Sequence, residues 1–249
     1  MENNSKLLVA KARDIVRLRD VRNIPKFSGF LTPSESTIIE SSIKAPNCFF
    51  FGGYPGAERR IFAALPDYVV EPFSDFPISV LKFQYRKTDK LSHRDFLGSF
   101  MATGITRESI GDICVADGFA LVFVQKDISG YLLEQITKVG NVGVFGTYVD
   151  LSAIDEFLPT SKTIPISFTV SSLRLDAILC GLVGCSRNKA ESYINDGLVF
   201  VNSFEVTKVT KAIKNGDIVT LRGTGKYLIT DCDGISKKGR HIIAADKYI

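Results

Sequence analysis

The sequence predicts an α+β protein in three regions: a small N-terminal α/β region over 1–75, a central domain over 76–160 and a C-terminal domain over 161–249. Three observations carry this division. Between 78 and 149 the apolar patterns and turn signals run strand, helix, strand, strand, helix, strand. From 171 to 226, two short amphipathic helices precede β-branched strands. A proline- and acid-rich stretch, 66–77, reads as a linker ahead of the first pattern. With 249 residues, 45% hydrophobic and 23% charged, the chain has globular composition and room for two or three domains.

In the N-terminal region, Asn4 or Ser5 can cap a helix to about Arg22 that mixes apolar and basic positions on helical spacing. Arg13, Arg17, Arg19 and Arg22 could meet RNA; a solvated face balanced by Asp14 and Asp20 is the preferred reading. Residues 27–31 read as a loop. Thr32-Pro33-Ser34-Glu35 is a capping box with proline at N1, opening a helix to about Lys44. Residues 47–53, NCFFFGG, read as a short buried strand stopped by a glycine pair, and 58–65 as a helix ended by Pro66. Gly52-Gly53 with Arg59 and Arg60 lacks the Walker spacing and the Lys-Ser/Thr pair of a nucleotide loop.

The central elements are expected at 78–85 (strand), 92–103 (helix, capped by Ser92), 113–116 and 119–125 (strands joined by the Asp117-Gly118 turn), 127–139 (helix) and 142–149 (strand). This order is the split βαβ, ferredoxin-like unit that RNA-recognition motifs share. Residues 118–124, GFALVFV, partly echo the RNA-stacking consensus. Asp117 stands where a cation leads it, and an aliphatic replaces its second aromatic, so a core strand is expected. His93, Arg94, Arg107 and Asp112 gather around the first helix and the turn after it. A structural role is the preferred reading, ahead of RNA contact and then of acid–base chemistry by His93, since no nucleophile or second carboxylate is visibly placed with it. Residues 151–163, carrying Pro159, connect to a strand over 164–170.

In the C-terminal domain, Leu175, Ile178, Leu179 and Leu182 form one apolar stripe on a helix from Leu173 to about Val183. Ser186 is placed to cap a second helix, which must stop at Gly197. The first turn of that helix carries Arg187 and Lys189. A helix N-terminus is already partly positive, so two cations there are disfavoured unless an anion joins them. Backbone N–H groups, a guanidinium and an ammonium around one point suit a phosphate. Side chains pointing into water are the alternative. Strands follow at 198–202 and 218–221, with turns at Asn202-Ser203 and Asn215-Gly216-Asp217. Arg222-Gly-Thr-Gly-Lys226 then offers a backbone that can approach another surface, flanked by cations. Residues 227–230 continue the strand and 242–245 form the last one. Between them, Lys237, Lys238 and Arg240 either extend an RNA footprint or decorate a hairpin tip.

The ordered motifs R-L-D at 174–176, S-R-x-x-A at 186–190, I-x-x-G-x-V-x-V-N at 194–202, G-D at 216–217 and R-G-x-G-K at 222–226 resemble the S-four RNA-binding domain, or αL motif. The resemblance places RNA-facing positions on Arg174, Ser186, Arg187, Lys189, Asn202, Arg222 and Lys226, with His93, Arg94, Arg107, Lys237, Lys238 and Arg240 as possible additional contacts. One departure is Ser203, where many such domains carry glycine in the hairpin turn. Together with H-R-D-x-L-G at 93–98, G-I-x-R-x-x-I-G-D at 104–112 and the F-F-G-G-Y…E-R-R segment, the whole resembles the bacterial YlmH family. That likeness implies a ribosome-associated RNA-binding protein, tied to quality control of stalled large subunits carrying peptidyl-tRNA and encoded near cell-division genes.

Charge agrees with an RNA partner for the last third. From 168 to the end there are 12 Lys and Arg against 8 Asp and Glu, whereas the rest of the chain balances at 19 and 19. The expected function is thus a non-catalytic RNA-binding protein acting on structured ribosomal RNA or tRNA and on the ribosomal large subunit. It is expected to be monomeric, without cofactor or metal. The five scattered cysteines fit thiols in a reducing cytoplasm, and neither a signal peptide nor a membrane span is legible. Two rivals stand. An RNA-modifying enzyme of the pseudouridine synthase type would need a catalytic aspartate, and Asp176 of R-L-D opens the first helix instead. A methyltransferase would need a glycine-rich loop after a strand, and Gly140-Asn-Val-Gly143 follows a helix. A cell-division adaptor binding protein is the other.

Overall fold

The computed structural model describes residues 2–158 and 163–248. It is a mixed α and β protein built on antiparallel sheets, and the chain divides into two compact units, Met1–Pro159 and Thr160–Ile249. The expected boundary near residue 75 falls inside the first unit. Pro159 of the expected connecting segment lies outside the described residues.

The first unit begins with α1 (Glu2–Arg22), β1 (Lys26–Leu31), α2 (Pro33–Ser42), β2 (Cys48–Phe51) and β3 (Arg60–Ala64), the strands pairing in the order β1-β3-β2. Two expectations are corrected. The 27–31 loop is β1, and the 58–65 helix gives way to β3. The central strand β3 is buried on both faces, Phe62 toward the helices and Ile61 with Ala63 toward the next sheet. A strand buried on both sides reads as a continuous apolar run, which periodicity does not separate from a helix. In α2, Thr32 Oγ1 accepts from Glu35 N, and Glu35 accepts from Thr32 N at 2.7 Å, closing the capping box.

The solvated-face reading of α1 fails at one residue. Arg19 is 7% exposed and donates to the carbonyls of Pro46 (2.8 Å) and Leu65 (3.1 Å). It staples the helix to the chain just before β2 and just after β3. Arg17 pairs with Asp14 at 3.7 Å, on the surface.

The rest of the unit comprises β4 (Ile78–Gln84), α3 (His93–Ala102), β5 (Ile110–Ala116), β6 (Phe119–Gln125), α4 (Ser129–Gln135), the small hairpin β7 (Lys138–Val139) and β8 (Val142–Gly143), and β9 (Phe145–Val149). The main sheet runs β5-β6-β4-β9, every neighbouring pair antiparallel. Helix α4 is shorter than expected. Its backbone leaves the helix at Ile136, and Val144 N donates to Thr137 O, folding the intervening residues into the hairpin.

Alternation assigns the two faces of this sheet. Leu81, Phe83, Ala120, Val122 and Val124 meet Phe96, Phe100 and Leu132 of the helices. Ile78, Val80, Leu121 and Phe123 point the other way and share a core with Phe30, Ile61 and Ala63 of the first sheet. The middle of the helix-free face of this sheet is therefore closed by β1 and β3.

The second unit contains β10 (Thr163–Val170), α5 (Leu175–Val183), α6 (Arg187–Asn195), β11 (Val199–Val201), β12 (Phe204–Glu205), β13 (Ile218–Leu221), β14 (Gly225–Ile235) and β15 (His241–Tyr248), in the sheet order β10-β15-β14-β13-β11-β12. Both helices cover one face, packing Ile178, Leu179, Leu182, Ala190 and Ile194 on Val199, Val201, Val219, Leu221, Tyr227, Ile229 and Ile243. Strands β14 and β15 are longer than the 227–230 and 242–245 segments expected from composition. Bulges near Asp231 and Gly234 keep them paired through a polar stretch that shows no alternation.

Candidate nucleic-acid interface

Helix α5 starts at Leu175, two residues later than the apolar stripe suggests. Leu173 and Leu175 are held by the loop before β13: Ile213 N donates to Leu173 O (2.9 Å) and Leu175 N to Lys211 O (2.8 Å). Arg174, extended between them, becomes the N-cap. In the first turn, Asp176 is 1% exposed. Its carboxylate accepts two bonds from Arg174, from Nε at 3.0 Å and Nη2 at 3.1 Å, and lies 3.8 Å from Nε of Arg187. A carboxylate at a helix start also suits the helix dipole. One buried anion thus holds two half-exposed guanidiniums side by side, one from each helix. Each side chain is about half exposed and has further N–H donors beyond those on Asp176, since a guanidinium carries five. Arg187 Nη2 also donates to Ser171 Oγ at 3.4 Å.

Ser186 caps α6 as the sequence suggests, its Oγ accepting from Lys189 N at 3.3 Å. The Lys189 ammonium lies 4.9 Å from the Tyr193 ring centroid. Arg174 and Arg187 therefore meet at Asp176, and Ser186 and Lys189 belong to the same start of α6. Asp176 is the residue that sequence reasoning set aside. Its signal was an acidic residue embedded in an otherwise apolar helix face, two positions after an arginine.

The other three expected residues lie elsewhere. Phe200 and Thr220 face away from the helices, because Val199, Val201, Val219 and Leu221 face them. Arg222 sits over the Phe200 ring at 5.0 Å, and Lys226 over Tyr248 at 5.1 Å. These two cations thus belong to the opposite side of the sheet. Asn202 has its amide occupied: Nδ2 donates to Asp217 at 2.7 Å and Oδ1 accepts from Ile218 N at 2.8 Å. Asn202 and Ser203 both take positive φ, 52° and 68°, as a primed two-residue hairpin turn requires, so serine is accommodated in the turn despite the missing glycine. At the β14–β15 tip, Lys237 and Lys238 are exposed, while Arg240 Nη2 donates to Thr169 O at 3.0 Å.

In the first unit, the YlmH-like motifs converge on Asp112. Its carboxylate accepts from Tyr54 Oη (2.8 Å), Glu58 N (2.7 Å) and Arg59 N (3.0 Å). Arg59 Nε and Arg107 Nη1 both donate to Ile110 O, at 2.9 and 2.6 Å. Arg59 also reaches Phe30 O, so the cluster joins the two sheets. Burial, then the neighbouring Arg59 charge, brings Arg107 down to about 10. Burial and the Asp112 charge push the Tyr54 hydroxyl well up. Arg94 is exposed on the first turn of α3.

His93 opens α3 with its side chain part exposed, and partial desolvation followed by the Arg107 charge holds its imidazole below the ordinary histidine value, against Asp112 and Glu58. A lowered base binds protons less readily folded than unfolded. Stability therefore rises with pH through the window at and just below the ordinary histidine value, and falls as the imidazole is forced to charge. An NMR titration is expected to show a His93 midpoint below 6.5, with assignment by His93→Gln. A midpoint at or above 6.5 contradicts this account.

Residues 72–152, the four-stranded sheet and its helices, match the family described as "Putative RNA-binding domain in YlmH". The chain is 31% identical over 218 residues to the ribosome-associated protein quality control protein P2 of Bacillus subtilis, covering 86% of this chain and 84% of that one. It resembles in fold a solved structure, the cell division protein ylmH from Streptococcus pneumoniae, with a TM-score of 0.53 and 21% identity over 63% of this chain and 95% of that chain. Among the described residues no helix is long and apolar enough to cross a membrane. With nearly a third of positions identical over most of both chains, and the matched domain coinciding with the four-stranded sheet, the protein belongs to the YlmH family.

Proposed function

We propose that this chain is a non-catalytic, monomeric, cytoplasmic RNA-binding protein that acts on structured ribosomal RNA or tRNA, as a quality-control factor on stalled large ribosomal subunits. The observation that carries the reading is the pair Arg174 and Arg187 held on the buried Asp176 beside Lys189. Two guanidiniums held by one carboxylate, with the ammonium of Lys189 in the same first turn of α6, suit phosphates of a folded RNA. We read the second unit as an S-four domain and the β5-β6-β4-β9 sheet as ferredoxin-like. Phosphate contacts fix placement without reading sequence, so specificity on this reading comes from RNA shape. The B. subtilis relative's name, and the matched family's description, support RNA and the ribosome as partners. Asp176 is unsuited to a nucleophile's role, being buried and already bonded to arginine.

The test is co-sedimentation with separated ribosomal subunits across a salt series. Binding to large subunits, enhanced by retained peptidyl-tRNA, is the expected result. The double variant Arg187→Ala/Lys189→Ala is expected to keep its fold, bind more weakly, and reduce the log–log salt slope by about 2, roughly one for each lost cation. An unchanged slope and affinity would remove the helix-start site. Tight binding to a free RNA without subunit binding would redirect the reading toward RNA modification.

A further inference from the structure

We propose that the free end of the four-stranded sheet is a stacking site for one unpaired nucleotide of RNA, with the Phe145 ring as its platform. The inference rests on the RNA-binding reading above and concerns the first unit. Gln84 lies directly opposite Phe119 on one side and Phe145 on the other. Directly opposed residues of antiparallel neighbours project to the same face. Phe119, Gln84 and Phe145 therefore form one row across β6, β4 and β9, with the two phenylalanine positions about 10 Å apart by strand spacing.

The row lies on the face whose middle is closed by the first sheet. Phe119 is also engaged, edge-on to Phe157 with centroids 6.2 Å apart and with the Lys82 ammonium above both rings. Phe145 differs. It is 67% exposed on an edge strand. An open depression beside it is lined by Gln84, Arg86, Thr137, Gly143 and Val144.

The chemistry of this patch fits a nucleotide. An exposed ring offers a base a π-face, whichever base it is. The Gln84 amide carries both donors and an acceptor for a base edge. The Arg86 guanidinium suits the phosphate. A helical RNA buries its base faces in the stack, so the occupant is an unstacked nucleotide from a loop, bulge or single strand.

The chain contains no tryptophan, so a Phe145→Trp variant carries a single indole reporter. Titration of this full-length variant with octanucleotides of uridine or adenosine at low salt is expected to quench the indole, and both sequences should do so. Phe145→Ala is expected to weaken binding of the same oligonucleotides by about 5- to 150-fold. Because the ring is exposed, circular dichroism and melting temperature should be unchanged. No quenching, together with unchanged affinity of Phe145→Ala while Arg187→Ala/Lys189→Ala weakens binding, would overturn this site and leave the RNA reading intact. No binding of the oligonucleotides or of ribosomal subunits by any form would sink both.

Discussion

Asp176→Ala is expected to destabilise the second unit by about 2–4 kcal/mol and to lower its RNA affinity at least tenfold. Removing one partner of a buried ion pair costs about 3–5 kcal/mol because a charge is left stranded. Here the stranded groups are Arg174 and Arg187, whose side chains are 44% and 55% exposed. They can rehydrate, which places the cost toward the lower end. In a unit of this size the melting temperature should fall by about 10 °C or more. The binding loss has a separate origin: without the carboxylate, the two guanidiniums lose their common anchor and their shared orientation. Asp176→Asn separates these effects from a cavity effect. It preserves volume yet replaces one acceptor oxygen with an NH2 facing a guanidinium, so stability and affinity should both still fall. Were Asp176 instead the acid of a nucleotide-modifying reaction, Asp176→Asn would leave melting and RNA affinity untouched and abolish a modification. Thermal melts paired with RNA titrations decide between these outcomes.

The anchor shows what kind of information the sequence carried. Local rules found the ends of elements: the Thr32 capping box, Ser92 and Ser186 before their helices, and turns with positive φ at Gly118, Asn202 and Gly216. Each depends on residues a few positions apart. Periodicity likewise found β4, β6, α3 and α5, which are amphipathic or clearly apolar. It failed at β3, where both faces are buried, and at β1, whose Ser28 and Gly29 read as loop. Gly29 is needed there because a Cβ would lie 2.9 Å from Glu108 Cβ. The proposed site was legible as a set of cations, and their arrangement was not. Arg222 and Lys226 look like neighbours of Arg187 along the motif, yet strand alternation turns them to the other side of the sheet. Arg19 looks like one more surface cation in a basic helix, and two carbonyls from distant segments bury it. Long-range partners decide these cases, and they leave no trace at helical or strand spacing.

Gly53→Ala is expected to destabilise the first unit by about 2–5 kcal/mol. The sequence reads the Gly52-Gly53 pair as the stop of a short strand, without the spacing of a nucleotide loop. The structure favours close approach. Gly53 has φ +103°, a region that side-chain-bearing residues rarely adopt, and a Cβ there would lie 2.5 Å from Cδ1 of Phe123. The conformational cost is about 1–2 kcal/mol, and forcing a methyl against a filled core adds about 1–3 kcal/mol. Relief by movement of the ring is blocked, because Phe123 is fully buried in the core shared by the two sheets. Gly52 adds a second constraint, since a Cβ there would strike Arg59 O and Ala57. The pair therefore lets the segment after β2 lie against the main sheet, bringing Tyr54 to its bond with Asp112. Urea denaturation should show a lower midpoint for Gly53→Ala with loss of cooperativity in the first unit. Binding through Arg174, Arg187 and Lys189 should persist at temperatures where the first unit has loosened. Wild-type stability in Gly53→Ala would refute the close-approach account. Loss of binding with stability unchanged would instead give the glycine pair the ligand-loop role that its spacing argues against.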